Sequence, residues 1–133
     1  MRAGWRGLGL VLVLAAAAAC RQPMSQGAVQ VRLRNETGGE LKEAWLGPGG
    51  RGKGSEDYGR IAAGETTEFR GLEPFLERYR KLDWVSADGK AHGLTVYPEQ
   101  HLGMRELPAG RYTFVLAPPG TKPALRIIEE RRY

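Results

Sequence analysis

The 133-residue sequence predicts an all-β fold, an antiparallel β-sandwich of about seven or eight short strands placed after a cleaved signal segment. Three observations lead there. Apolar residues alternate with polar ones at period two in several stretches, turn-forming residues recur about every 8–12 positions, and past residue 20 hardly any run keeps helical spacing.

The chain begins with Arg2 and Arg6 around a short charged start, an apolar run from Gly7 to Leu14, five small residues from Ala15 to Ala19, and then Cys20, the sole cysteine. A charged start, an apolar stretch of about 7–15 residues and an A-x-A-like end describe a secretory signal, whereas a spanning helix needs about 20 apolar residues. Residues 1–19 are therefore expected to be removed, 20–27 to form a lipidated cysteine and tether, and 28–133 to form the sandwich domain. Ala17-Ala18-Ala19-Cys20 resembles a bacterial lipobox, in which small residues precede a cysteine that takes a diacylglyceryl group, with palmitate among its acyl chains. The departure is Ala17, where lipoboxes usually carry Leu or another branched apolar residue. Ala17-x-Ala19 also suits the ordinary signal peptidase, which would leave a soluble secreted or periplasmic protein with a free thiol. A lone cysteine in an exported chain has no disulfide partner within the chain, and acylation removes that difficulty. Each buried methylene contributes about 0.8 kcal/mol, so one fatty chain anchors marginally and two or more anchor firmly. The residue after the cysteine is Arg21 rather than the Asp that retains lipoproteins at the inner membrane in some lineages, which favours the outer membrane.

The formal charge of +5 falls to +3 once Arg2 and Arg6 leave. Along the chain the basic residues are scattered among fifteen Asp and Glu, so a mixed-charge surface is expected and nucleic acid is not expected as a partner. A body of this size buries about 60–70% of its unfolded surface and needs no metal or disulfide to hold a core.

Taken in order, residues 21–27 carry Pro, Gly and polar residues without apolar periodicity and read as a tether. Val29, Val31 and Leu33 alternate with Gln30, Arg32 and Arg34 as a first strand, closed by the turn Asn35-Glu36-Thr37-Gly38-Gly39. Asn35-x-Thr37 matches a glycosylation acceptor, but turn chemistry, with Asn and Thr side chains bonding nearby backbone, explains it better. A second strand runs from Leu41 to Leu46, and two brief strands flank the turn Ala62-Ala63-Gly64-Glu65 between Tyr58 and Arg70. The stretch from Glu73 to Lys81 reads as either a turn of helix or an irregular link into a strand through Val85. Ala87-Asp88-Gly89-Lys90 predicts a tight two-residue hairpin turn leading to a strand from Ala91 to Tyr97, stopped by Pro98. Residues 99–109 form a connection, Arg111 to Leu116 alternate again, and Leu125 to Glu130 make a last strand with Arg131, Arg132 and Tyr133 fraying.

Such a series fits an immunoglobulin-like or transthyretin-like sandwich, with a small closed β-barrel as the alternative. The expected core draws on Val31, Leu33, Trp45, Ile61, Phe69, Leu82, Trp84, Leu94, Val96, Tyr112, Phe114 and Ile127.

Three stretches resemble a group of small uncharacterised bacterial lipoproteins: Asn35 with Thr37 at a strand end, Tyr58 to Phe69 as Tyr-Gly-x-Ile-x-x-Gly-Glu-Thr-Ser/Thr-x-aromatic, and Leu107 to Phe114 as Leu-x-x-Gly-x-Tyr-Thr-aromatic. The match spans residues 29–118 and implies a shared fold more than a shared activity. Where the group tends to show Pro-x-Asp-Tyr-x-Gly-Glu, this chain keeps Pro98 and Gly103 but carries Gln100 and Met104 at the acidic positions, so a cation held there in relatives is not implied here.

Chemistry is sparse. Gly47, Gly52 and Lys53 fit G-x-x-x-x-G-K, but Gly54 stands where a magnesium-binding Ser or Thr is needed and no helical run follows, so no nucleotide is expected. His92, His101 and Glu99 are the one conceivable metal set, without any close motif such as H-E-x-x-H. The adjacent acids Glu56 with Asp57, and Glu129 with Glu130, would point to opposite strand faces and make poor acid/base partners. The expectation is a membrane-anchored extracytoplasmic module of the cell envelope, non-enzymatic, without cofactor, binding an envelope protein or peptide. The loop from Gly47 to Asp57 and residues 99–106 are its candidate surface. The alternative is a soluble β-sandwich with a weak metal site or hydrolytic activity.

Overall fold

A computed structural model of the chain describes residues 29–48, 51, 54–72, 79–104 and 106–132. Eight strands occupy them: β1 (Val29–Asn35), β2 (Leu41–Gly47), β3 (Glu56–Asp57), β4 (Arg70–Leu72), β5 (Arg80–Ser86), β6 (Ala91–Val96), β7 (Gly110–Leu116) and β8 (Leu125–Arg132). They form two four-stranded sheets, sheet A in the order β4-β1-β7-β8 and sheet B in the order β3-β2-β5-β6. All pairings are antiparallel except β1 with β7, which runs parallel from Val29 opposite Gly110 to Asn35 opposite Leu116. The expected all-β sandwich is therefore what the chain forms. The closed barrel is corrected, because the strands divide into two separate sheets. The immunoglobulin order, with first, second, fifth and fourth strands in one sheet, is not the order seen either. That leaves the transthyretin-like arrangement of the two expected.

The core lies between the sheets and includes Val31 and Leu33 from β1, Tyr112, Phe114 and Leu116 from β7, and Leu46 and Leu82 from sheet B. Two expected core residues lie elsewhere. In β2 the pairing slips between Leu41 and Glu43, leaving Lys42 as an extra residue. The bulge resets the alternation, so that Leu41, Ala44 and Leu46 are buried and Trp45 faces outward. Phe69 is half-buried on the outer side of sheet A, with the guanidinium groups of Arg32 and Arg111 at 4.6 and 5.1 Å from its ring centroid.

The stretch between Tyr58 and Arg70 is a strap rather than two strands. It touches β2 first: Tyr58 N–H donates to Ala44 O at 2.8 Å, and Ile61 and Leu41 exchange two bonds of 2.9 Å. After the turn at Gly64 it reaches β1, where Gly64 N–H donates to Asn35 O at 2.7 Å and Thr67 N–H to Leu33 O at 2.8 Å. One segment thus ties sheet B to sheet A along an open side. Only Ile61 and Thr66 make isolated bridges within it, because the strap crosses between sheets instead of extending either.

The motif residues explain this geometry. Asn35 is fully buried, and its side-chain N–H groups donate to the carbonyls of Gly39, Ile61 and Ala62 at 2.7, 3.2 and 3.1 Å. Its Oδ1 accepts from Thr37 N–H and Oγ1–H at 3.0 and 2.6 Å, which is the expected turn chemistry. The buried Tyr58 donates its hydroxyl to Val31 O at 2.8 Å, and burial, with Glu56 adding to it, pushes that phenol well above its ordinary value against the pull of Arg70. Gly110 lets β8 approach, since a Cβ there would lie 2.2 Å from the carbonyl oxygen of Arg131.

Three connections differ from expectation. Only Gly89, at φ 85°, adopts positive φ in the β5–β6 hairpin, and Ser86 N–H bonds Lys90 O at 2.9 Å. Hence the hairpin uses a longer loop closed by one left-handed glycine, not the two-residue turn. Pro98 stops β6 as expected but also opens a single helical turn, α1 (Pro98–Leu102), within the connection read as irregular. Finally, Arg131 and Arg132 do not fray: they pair with Arg111 and Gly110. Residues 73–78, left ambiguous above, lie outside the described residues, as do the signal segment and Cys20.

Candidate functional site

Strand direction sorts the loops into two ends. Val29, Gly110 and Arg132 lie at the end where the chain comes into the sandwich; the β1–β2 loop, the β5–β6 hairpin and the β7–β8 connection gather at the other. Between those three loops opens a cleft of about 490 Å³.

Its floor follows from the alternation of β5. Leu82 packs in the core, so Trp84 and Ser86 face the same way, nearer the open end. The hairpin sets His92 opposite Trp84, and their rings stack with centroids 5.3 Å apart and planes at 14°. One wall carries Ala117, Pro118 and Pro119; the other carries Thr37, Glu40 and Leu41. Glu40 is held by Arg60 at 3.3 Å.

The polar rim is a relay centred on Ser86. Its hydroxyl bonds Asp88 Oδ1 and lies 3.0 Å from His92 Nε2, while Lys90 N–H donates to the same Asp88 oxygen at 3.1 Å. The Ser86 hydroxyl, then the Lys90 N–H, hold the Asp88 carboxyl below its usual range, with the charges of Lys90 and His92 adding to the effect. A serine, a histidine and an aspartate in contact invite comparison with a nucleophilic triad, but the order differs. A triad has the carboxylate behind the imidazole and the imidazole ready to take the serine proton. Here the carboxylate bonds the serine directly and, among the described residues, no carboxylate is bonded to the imidazole, so the triad order is not reproduced. The arrangement ties the hairpin together and offers polar contacts at the mouth of the cleft.

The expected site residues are dispersed. His92 stands at the start of β6 beside the cleft, whereas Glu99 and His101 belong to α1 beyond the other end of that strand, so the one conceivable metal set is not brought together. His101 is half-buried, and burial lowers its imidazole. The two halves of the candidate surface are also apart. The Gly47–Asp57 loop sends Arg51 onto the outer face of sheet B, where its N–H donates to Asp83 at 2.7 Å and its guanidinium meets Glu43 at 2.7 Å, while α1 lies beyond β6 and touches β8. Beyond that loop, Gly54 leads to β3 and not to a helix, as a phosphate-binding loop would require. Gln100 is on α1, and Met104 Sδ accepts from Arg132 Nη2 at 3.7 Å.

The cleft itself was missed in the sequence. Trp84 reads as core and Asp88-Gly89 as a turn, and only the pairing of β5 with β6 sets His92 over the tryptophan. Of the resemblance residues, Thr37 alone lines the cleft.

No protein-family description matches the chain, and no curated protein matches it. Among solved structures it is similar to the NMR structure of the protein from Eubacterium rectale, at 9% identity and a TM-score of 0.47, with 79% of this chain and 90% of that chain covered.

Proposed function

We propose that the chain is a lipid-anchored, extracytoplasmic binding module of the cell envelope, without catalytic activity of its own. Residues 1–19 are the signal peptide, Cys20 carries the lipid, residues 20–27 are the tether, and the domain of residues 28–133 presents the cleft to an envelope protein or peptide. The outer membrane is its location, on the strength of Arg21. Resemblance to the small bacterial lipoproteins supports the same reading.

The observation that carries the binding role is the cleft of about 490 Å³, formed by three loops at the end opposite the arriving chain. An anchor on the N-terminal side leaves that end open. Loops gathered on a rigid sandwich are a common way to present a binding surface, and a half-buried tryptophan beside hydrogen-bonding groups supplies both contact area and direction.

Two measurements test the proposal. Mass spectrometry of the mature N-terminus is expected to find an acylated Cys20; an unmodified thiol removes the anchor. Crosslinking in intact envelopes is expected to recover one protein repeatedly, and to lose it when Ala87→Arg fills the cleft. Recovery unchanged by Ala87→Arg takes the cleft out of the interaction.

A further inference from the structure

The sequence scatters its basic residues, but the fold collects them. On the outer face of sheet A, β1 contributes Arg32 and Arg34, β7 contributes Arg111, and β8 contributes Arg126 and Arg131, all on the side away from the buried Leu33 and Phe114. Among the described residues two carboxylates lie beside three of them. Glu130 lies 3.5 Å from Arg32, and Glu36 lies 2.8 Å from Arg34 and 3.5 Å from Arg126. Arg70 stands in register with the buried Val31, 5.5 Å from the Tyr58 ring centroid, and so belongs to the other face. Among the described residues, and with Arg131 set aside, four arginines therefore stand against two carboxylates on this face, in strands about 4.8 Å apart.

Arg111 is the most telling of them. Its Nε donates to Gln30 Oε1 at 2.9 Å, and it shares the Phe69 ring with Arg32. Among the described residues it has no carboxylate partner. A ring between two guanidiniums steadies like charges beside each other; Arg32 is engaged by Thr113 and Glu130, so Arg111 is the one of the pair placed to meet an oxyanion. Ile128, at 40% exposed, stands in register with Thr113 on the same face and adds an apolar contact among the arginines.

We propose that this face docks on the anionic phospholipid headgroups of the bilayer that holds Cys20. The inference rests on the anchor reading above. Two features select a membrane over other anionic partners. β1 is the first described strand and belongs to sheet A, so the sheet that receives the tether is the one that bears the charge. From Cys20 to Val29 the chain spans nine residues, which reach about 30 Å at most, so the body cannot leave the headgroup layer far behind. Phosphates in that layer suit the planar arginine forks. Lying on sheet A, the sandwich still leaves the cleft open at its end.

The test uses the anchored protein carrying Ile128→Cys with an environment-sensitive dye, reconstituted in vesicles of phosphatidylcholine alone or with about one-third phosphatidylglycerol. The expected result is a blue shift with phosphatidylglycerol only, lost in high salt and in the Arg34→Glu, Arg111→Glu double variant, and kept in Lys81→Glu on the other sheet. Matching thermal midpoints confirm that the variants fold. Equal emission in both vesicles, or a shift that survives the double variant, overturns the docking face. A shift produced by an added anionic glycan or envelope protein and not by lipid also overturns it, and assigns the face to that partner. The N-terminal mass, read on the same sample, separates the two readings. An acylated protein without a shift loses only the docking face; an unacylated one loses the anchor, and its shift is then read on protein added to the same vesicles at low salt.

Discussion

The outer faces of the two sheets are built from similar strands and end up unlike. On sheet A the central strand β7 is buried on both sides: Thr113 sits under a bond from Arg32 Nε at 2.9 Å and donates to Glu130 at 2.6 Å, and Val115, 1% exposed, lies in register between Arg34 and Arg126. Long arginine stems cover apolar surface while their heads stay in solvent. On sheet B, Trp45, Val85, Ala91 and Gly93 line a shallow groove of about 270 Å³ that Arg51 borders. Its charges balance, with Lys42, Arg51 and Lys81 beside Glu43, Asp57 and Asp83. A charged side chain thus does different work on the two sides: it roofs the sheet and concentrates charge on A, and it pins a loop on B.

The contrast can be broken most forcefully through the core side of β7. Phe114→Ala is expected to cost about 3–5 kcal/mol in urea unfolding, against about 1 kcal/mol for Trp45→Ala. Equal losses would put Trp45 inside and remove the bulge at Lys42. Next comes the link between the sheets. Asn35→Ala leaves three carbonyls and the Thr37 donors without their partner, so about 3 kcal/mol is expected, together with faster hydrogen exchange in the strap at Gly64 and Thr67. A loss near zero would mean that the strap does not hold the sheets.

Outward-facing valines give a sharper comparison. Val115→Ala, beneath the arginine stems, is expected to cost about 2 kcal/mol, and Val85→Ala, in the open groove, less than about 1 kcal/mol. A small effect of a different kind is expected of Tyr58→Phe, about 1 kcal/mol at neutral pH for the lost bond to Val31 O. Its pH dependence has a definite sign. The buried phenol holds its proton in the folded state to higher pH than in the unfolded chain, where it ionises near about 10, so the contribution is present below that pH and is lost as pH rises beyond it. The wild-type advantage over the variant should shrink above pH about 10; a constant gap in alkaline unfolding curves would show that Tyr58 is solvated.

Local pattern made much of this legible. Period two located β1 and β7, the Asp88-Gly89 turn located β6, and Val31, Leu33, Leu82, Tyr112 and Phe114 were legible as core. Asn35 and Thr37 were readable as turn chemistry because their partners are close in sequence. Trp45 was misplaced because a bulge shifts phase by one residue, and nothing local at Lys42 announces it. Phe69 looked like core because aromatic residues usually are, yet its place depends on two arginines, one from β1 and one from β7. The cleft was illegible for the same reason: Trp84, Ala117 and Thr37 come together only through strand pairing.

By itself, the sequence determined most of the segments that extend and where they turn, because these depend on neighbours along the chain. Which strands lie side by side was decided by tertiary structure, through the parallel pairing of β1 with β7 and the bulges in β2 and β8. That pairing set five arginines on one face and a stacked histidine at the mouth of a cleft, since charge and concavity belong to surfaces assembled from distant residues.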